Sequence, residues 1–446
     1  MSELARPSHP LAHHDAPATD PFPRAFDPDH VGESIRQALG RWGEDTTGRA
    51  IVQRVHFARR GRIVVQYAWL DEHDRLRHVL HGEPVDGDAA DKAAEESRRL
   101  RKPRRNQAAA SQVDPVLALE AMPVLLRRAG HDAALPGLRL LHDADFRRHW
   151  LRLALGPAWA GSDVTVGLCA HRLGKRAVLR FERGTDAGRE CRFARLAPVT
   201  HEGPRNSFDL HTRIHAALTR DARQKALQVP DPIMFDEAMG VALYGALPGR
   251  MAGDADLAAP ARVDAAMCAL NTLSNLSDVA APVRASRAEL DLLADWQERL
   301  DRFKPGLAAS FGRQVGRLRT DFERLAPQPD APCHRDLHEG QIMVTTDGTG
   351  LLDFDTFCLS DPDIDAGNLL AHLRWRERLC ADGDLRASTQ LVHRLVQSFG
   401  PSRAGRIAFW SRVSMLRICA IHAFSSEGGS SARGWLLGDE ACTTAR

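Results

Sequence analysis

Residues 334–365 constrain this 446-residue chain more tightly than any other stretch. They read His334-Arg335-Asp336-Leu337-His338-Glu339-Gly340-Gln341, then Leu351-Leu352-Asp353-Phe354-Asp355, then Asp361-Pro362-Asp363-Ile364-Asp365. Asp336 stands five residues before the amide side chain of Gln341, and Asp353 follows twelve residues later at the end of an apolar run. Phosphoryl transfer from a nucleotide needs such a set: one carboxylate to take the proton of an attacking hydroxyl, and a carboxylate and an amide to hold metal on the phosphates. Ile342 to Thr345 reads as a strand, Asp347-Gly348 as a tight turn, and Leu351-Leu352 as a second strand ending at Asp353. Gln341 then precedes the first strand and Asp353 follows the second, so both offer hard oxygens from neighbouring strand ends, as Mg²⁺ requires. Asp365 stands at the start of an expected helix and is read as its N-cap.

On these motifs the chain resembles the aminoglycoside phosphotransferase and choline kinase-like family, and its Leu337-His338-Glu339-Gly340-Gln341 run is similar to that of bacterial maltokinases. The resemblance implies an α+β, protein-kinase-like fold of two lobes, with an antiparallel β N-lobe and a mostly helical C-lobe. It implies Asp336 as catalytic base, His334 as a residue that fixes the loop, Asp353 as the metal-binding aspartate, and Asp355 as an aid to a second ion or to the loop. Gln341 stands where most members carry Asn. ATP and Mg²⁺ are the implied cofactors, and the implied acceptor is a hydroxyl of a small molecule of aminoglycoside, sugar or amino-alcohol type. Upstream, Val241-Ala242-Leu243-Tyr244-Gly245-Ala246-Leu247-Pro248-Gly249 is similar to the family's last N-lobe strand and hinge, which places Tyr244 and Ala246 beside the adenine.

The chain also departs from that pattern. It has only five lysines, and none lies on an obvious N-lobe strand where a phosphate-binding lysine is expected. Lys175 lies in a Leu-Gly-Lys-Arg turn, Arg195 occupies the position of the family's lysine, and Arg180 is a second candidate. A guanidinium is a planar fork and not a point charge, so the exchange is not conservative. No GxGxxG occurs. A catalytically degenerate relative that binds a nucleotide or metabolite without transfer is therefore the alternative.

Two N-terminal segments look alike. Each has a short helix, then a strand, a basic Gly-containing turn and a second strand: Ile35 to Tyr67 and Leu151 to Phe181. The expectation is a duplicated N-lobe, the second copy binding nucleotide. The expected divisions are a disordered tail over 1–30, a cap-like repeat over 31–90, a charged linker over 91–115, the nucleotide lobe and hinge over 116–250, a helical C-lobe over 251–424 and a flexible tail over 425–446. A net charge of +2 gives no case for nucleic acid or a membrane. The basic run Arg98 to Arg105 lacks interleaved aromatics, which argues against a nucleic-acid surface. Eight scattered cysteines without a CxxC argue against a disulfide framework or a zinc site. No signal peptide or spanning segment is expected, which points to the cytoplasm. The sequence does not set the oligomeric state.

Overall fold

The computed structural model describes residues 24–58, 61–101, 114–120, 122–161, 163–185, 188–199, 203–220, 227–254, 256–379 and 386–437. Helix α1 (Pro28–Arg41) starts at an Asp27 cap whose carboxylate accepts the Asp29 N–H, with Pro28 in the first turn. Strands β1 (Arg49–Phe57), β2 (Ile63–Leu70) and β3 (Leu76–Pro84) follow, then helix α2 (Ala89–Arg101), β4 (Val116–Ala118) and β5 (Val124–Arg128). They form an antiparallel sheet in the order β1-β2-β3-β5-β4.

The second unit repeats this plan. After α3 (Arg139–His142) and α4 (Ala144–Leu155) come β6 (Thr165–Arg172), β7 (Arg176–Thr185), β8 (Gly188–Leu196), α5 (Gly203–Arg220), β9 (Leu227–Gln228), β10 (Pro232–Asp236) and β11 (Val241–Gly245). Its sheet runs β6-β7-β8-β11-β10, the same order as the first, and is again antiparallel. The likeness seen in the sequence is thus a likeness of topology, and an N-lobe-like repeat precedes the N-lobe.

The structure moves four expected divisions. β4 and β5, expected to open the nucleotide lobe, complete the first sheet, and much of the expected linker is helix α2. The reason is burial: α2 covers one face with Ala89 and Ala93 against Val116 and Leu125. Ala25 and Phe26, expected in a tail, lie in the core, and so do Ala432 and Leu436 of the C-terminal helix. Residues 1–23, 102–113 and 438–446, which carry the rest of both tails and of the linker, lie outside the described residues.

The C-lobe is built from α6 (Ala259–Leu273), α7 (Ala288–Phe303), α8 (Pro305–Glu323), α9 (Asp363–Leu379), α10 (Arg386–Phe399), α11 (Pro401–His422) and α12 (Gly429–Leu437). Short strands β12 (Arg250–Met251), β13 (Ala331–Cys333), β14 (Ile342–Thr345), β15 (Gly348–Leu351) and β16 (Cys358–Ser360) carry its loops. Gly367 lets α9 and α11 meet: a Cβ there would lie 2.4 Å from the Trp410 Cβ and 2.7 Å from its carbonyl carbon. None of the described helices is long and apolar enough to cross a membrane.

The first sheet is docked on the C-lobe. Val52, Val55, Val65, Tyr67 and Leu80 share one apolar core with Leu293, Phe311 and Trp410. The Phe57 ring sits 5.8 Å from Trp296 and 5.1 Å from Phe424, in edge-on arrangements that aromatic pairs favour. Val52 exchanges hydrogen bonds with Ser426, its N–H donating to Oγ at 2.9 Å and its carbonyl accepting the Ser426 N–H at 2.8 Å. His81 of β3 meets His171 of β6 edge-on at 4.7 Å. The first unit therefore touches both lobes.

Candidate active site

The loop from His334 to Gln341 leaves β13 and enters β14. Asp365 shapes its start. The helix begins at Asp363, so Asp365 lies inside the first turn, and its carboxylate does not cap α9 as expected. It accepts the backbone N–H of His334 and of Arg335, each at 2.7 Å. Arg335 adopts a left-handed conformation, φ 65°. That costs free energy in a non-glycine residue and persists only where surroundings hold it. Here the holder is Glu289, whose carboxylate receives the Arg335 guanidinium at 2.9 Å. His334 is fully buried, and its Nε2 donates to the Leu352 carbonyl at 2.8 Å. The Asn368 amide donates to the Leu337 carbonyl at 2.9 Å and is itself held by Arg417. Residues 334–337 are thus fixed on both sides of Asp336, which is half-buried.

The hairpin forms as expected, shifted by one residue at its turn. Thr345 pairs with Gly348, so the turn residues are Thr346 and Asp347. The Leu352 N–H donates to the Gln341 carbonyl at 2.9 Å, which sets Gln341 across from the residue before Asp353. The Gln341 amide nitrogen lies 3.4 Å from His338 Nε2, and no hydrogen bond among the described residues joins it to Asp353. His338, Glu339 and His372 bring ligand-type atoms within 4.8 Å of one another. His338 Nδ1, however, accepts the Gly340 N–H at 3.0 Å, and its ring stacks on His372. That occupies the Nδ1 lone pair of His338 within its own loop.

Asp353 follows β15 with φ 59°, a conformation aspartate tolerates better than most residues. Arg176 Nη1 donates to its Oδ2 at 3.0 Å, and Arg195 Nη1 lies 3.5 Å from Oδ1. Burial alone would raise its pKa; Arg195 and Arg176 outweigh that and hold it below the usual carboxylate range. Asp353 Oδ1 is buried and makes no hydrogen bond. Asp355 accepts from both terminal nitrogens of the Arg195 guanidinium and lies 3.5 Å from Arg176.

The two arginines come from neighbouring strands, Arg176 at the start of β7 and Arg195 near the end of β8. α5 supplies Arg195 with no acid. Its Asp209 pairs with Arg205, and it presents His211 to Tyr244 and Phe354. Lys175 precedes Arg176 in the β6–β7 turn, which Asp132 anchors by accepting the Gly174 N–H at 2.6 Å. Arg180 is elsewhere: it is exposed and pairs with Glu182 at 3.0 Å, away from the aspartates. Tyr244 ends the second sheet beside Phe208 and His211. Among the described residues, Ala246 and Leu247 make no backbone hydrogen bond, so the hinge edge is open.

A family model described as the phosphotransferase enzyme family, APH, matches residues 171–400, just over half of the chain. The chain belongs to the APH phosphotransferase family. No curated protein matches it. Solved structures similar to this APH-family chain include a choline/ethanolamine kinase family protein from Mesorhizobium loti, 16% identical, with 66% of this chain and 94% of that one covered and a TM-score of 0.46. A thermostable mutant of aminoglycoside phosphotransferase APH(4)-Ia, solved with ADP and hygromycin B, is 14% identical, with 65% and 95% covered and a TM-score of 0.45. Amicoumacin kinase hAmiN, solved with AMP-PNP, Ca²⁺ and Ami, is 15% identical, with 67% and 94% covered and a TM-score of 0.46.

Within this APH-family site the sequence alone does not single out Arg176, which reads only as part of a basic turn. Nor does it reveal what Asp365 binds. The spacing of Asp365 after the Asp361-Pro362 pair is a usable signal. For Arg176 there is none beyond its place next to Lys175.

Proposed function

We propose that the chain transfers the γ-phosphate of ATP to a hydroxyl of a small molecule. The observation that carries this is the convergence of Arg176 and Arg195 on Asp353 and Asp355, beside a loop fixed on both sides of Asp336. Asp336 takes the proton of the attacking hydroxyl. His334 and Asp365 hold its loop. Tyr244 and Ala246 flank the adenine at the open hinge edge. Arg195, Arg176 and Lys175 meet the phosphates, while Arg180 has no part. The donor set suits Mg²⁺: all ligand atoms are hard oxygens, and Asp353 Oδ1 is buried without a hydrogen bond. Asp353, Asp355 and Gln341 would hold the ion, which would neutralise charge on the phosphates. Arg176 and Arg195 must then pass from the carboxylates to the phosphate oxygens, for which a guanidinium fork is well shaped.

A second function is favoured by one observation. Arg195 has no carboxylate on α5 to orient it and is held by the aspartates instead, which suits a protein that binds nucleotide without transfer. Release of ADP on addition of hydroxyl compounds separates the two. Transfer predicts acceptor-dependent ADP. It also predicts a pH dependence: burial, with Arg172 and Arg176 close by, pushes Lys175 down to about 8. Lys175 carries its charge below that pH and loses it above, so KM for the nucleotide should rise as pH passes through about 8. Lys175→Met should flatten the profile. ADP release that no hydroxyl compound stimulates would favour the binding protein.

A further inference from the structure

β1 is an edge strand held at two points, by Val52 on Ser426 and by Phe57 among the rings of Trp296 and Phe424. Between these points the strand has a bulge. Val52 pairs with Tyr67, but Arg54 pairs with Gln66, so Gln53 is the extra residue. Without it Arg54 would share the face of Val52 and point into the core. The bulge turns it to the opposite face, in one row with Gln66 and His81. His81 meets His171 of the N-lobe, so this face looks into the space between the lobes. Bulges beside functional sites commonly re-aim a side chain in this way.

Arg54 is exposed, and among the described residues it has no hydrogen bond or ion pair. Protein nevertheless closes around it: burial lowers its pKa, the charge of Asp336 opposes that, and Arg176 reinforces it. His372 and His422 lie within reach of its charge. Both are kept neutral by burial, His422 with a pKa of about 4. Arg417, the other cation here, is engaged by Asn368 at 2.7 Å and lies 3.8 Å from Glu289. Glu289 itself is taken by Arg335. Glu339 also acts on the neighbouring His338, and it flanks Gly253 together with Arg376.

We infer that the acceptor carries a negative group, a carboxylate or a phosphate, and that Arg54 from the N-terminal repeat binds that group while Asp336 takes the hydroxyl proton. This rests on the phosphotransferase function proposed above. A free guanidinium beside the base repels a polyamine and attracts an anion, and its fork matches either anion. The N-terminal repeat thereby completes the acceptor side of the cleft.

The test uses the full chain, Arg54→Met and Arg54→Lys. Nucleotide binding is read separately, as the thermal shift with AMP-PNP and Mg²⁺. Transfer is measured to gluconate and glucose 6-phosphate, to glucose and glycerol, and to kanamycin and choline. The anionic pair should be the preferred acceptors. Arg54→Met should lower kcat/KM for them about ten- to a hundredfold, as loss of a charged hydrogen bond does. Its nucleotide shift should stay intact, and Arg54→Lys should recover part of the loss. The inference is overturned if a neutral or cationic compound is the best acceptor, if neither anion is phosphorylated, or if Arg54→Met leaves transfer to them unchanged. A wild-type chain that shows no nucleotide shift would overturn the phosphotransferase function and this inference with it.

Discussion

Asp336→Asn should lower kcat by about 10²–10⁴-fold, the usual worth of a positioned general base, and leave nucleotide affinity nearly unchanged. The substitution keeps size and polarity but removes the ability to take a proton. The loop around it should not move, because its anchors lie in other residues: Asp365 under His334 and Arg335, and Asn368 on Leu337. A loss in kcat without loss of binding marks an interaction made in the transition state. If nucleotide affinity fell in parallel with turnover, Asp336 would be a structural residue and not the base. Single-turnover kinetics and nucleotide titration on the same preparation decide between these.

Asp365→Ala should be the most damaging substitution for stability among the residues of the site. Asp365 is 2% exposed and accepts two backbone N–H groups, that of the fully buried His334 and that of the half-buried Arg335. Leaving both unpaired should cost about 2–6 kcal/mol, at roughly 1–3 kcal/mol for each donor. The cost is tempered because burying a carboxylate is itself unfavourable, and burial raises the pKa of Asp365 despite its partners. The strained backbone of Arg335 should relax once its N–H is released, so turnover should collapse along with stability. Urea unfolding gives the first quantity. An unfolding midpoint equal to the wild type's would show that the loop is held by Glu289 and Asn368 alone.

Much of this is legible in the sequence because the relevant contacts are local. The loop, the hairpin and the two aspartates lie within about thirty residues, and β-branched runs and turn dipeptides report such structure directly. The repeated N-terminal plan is legible for the same reason, as a recurring order of short elements. Its extent is not. β4 and β5 join the first sheet only through pairing with β3, a long-range event that no local pattern records. Asp365 reads as a cap because a sequence places a residue along a helix but does not tell whether its side chain turns back to that helix or across to a loop. The contact of Arg176 with Asp353 spans 177 positions. Arg54 needs the bulge at Gln53, and nothing in the residues themselves announces a register shift. Arg180 fails in the opposite way: it lies on a suitable strand, but Glu182 takes its charge.

The decisive measurement is a thermal-shift titration with ATP, with and without Mg²⁺, on the wild type and on Asp353→Asn. Ligand at about 100 times its Kd adds roughly 2.7 kcal/mol to stability, enough to move the midpoint by a few degrees. A functional phosphate site predicts a Mg²⁺-dependent shift in the wild type that Asp353→Asn loses. Absence of a shift with any nucleotide, or one that survives Asp353→Asn at full size in Mg²⁺, would contradict it.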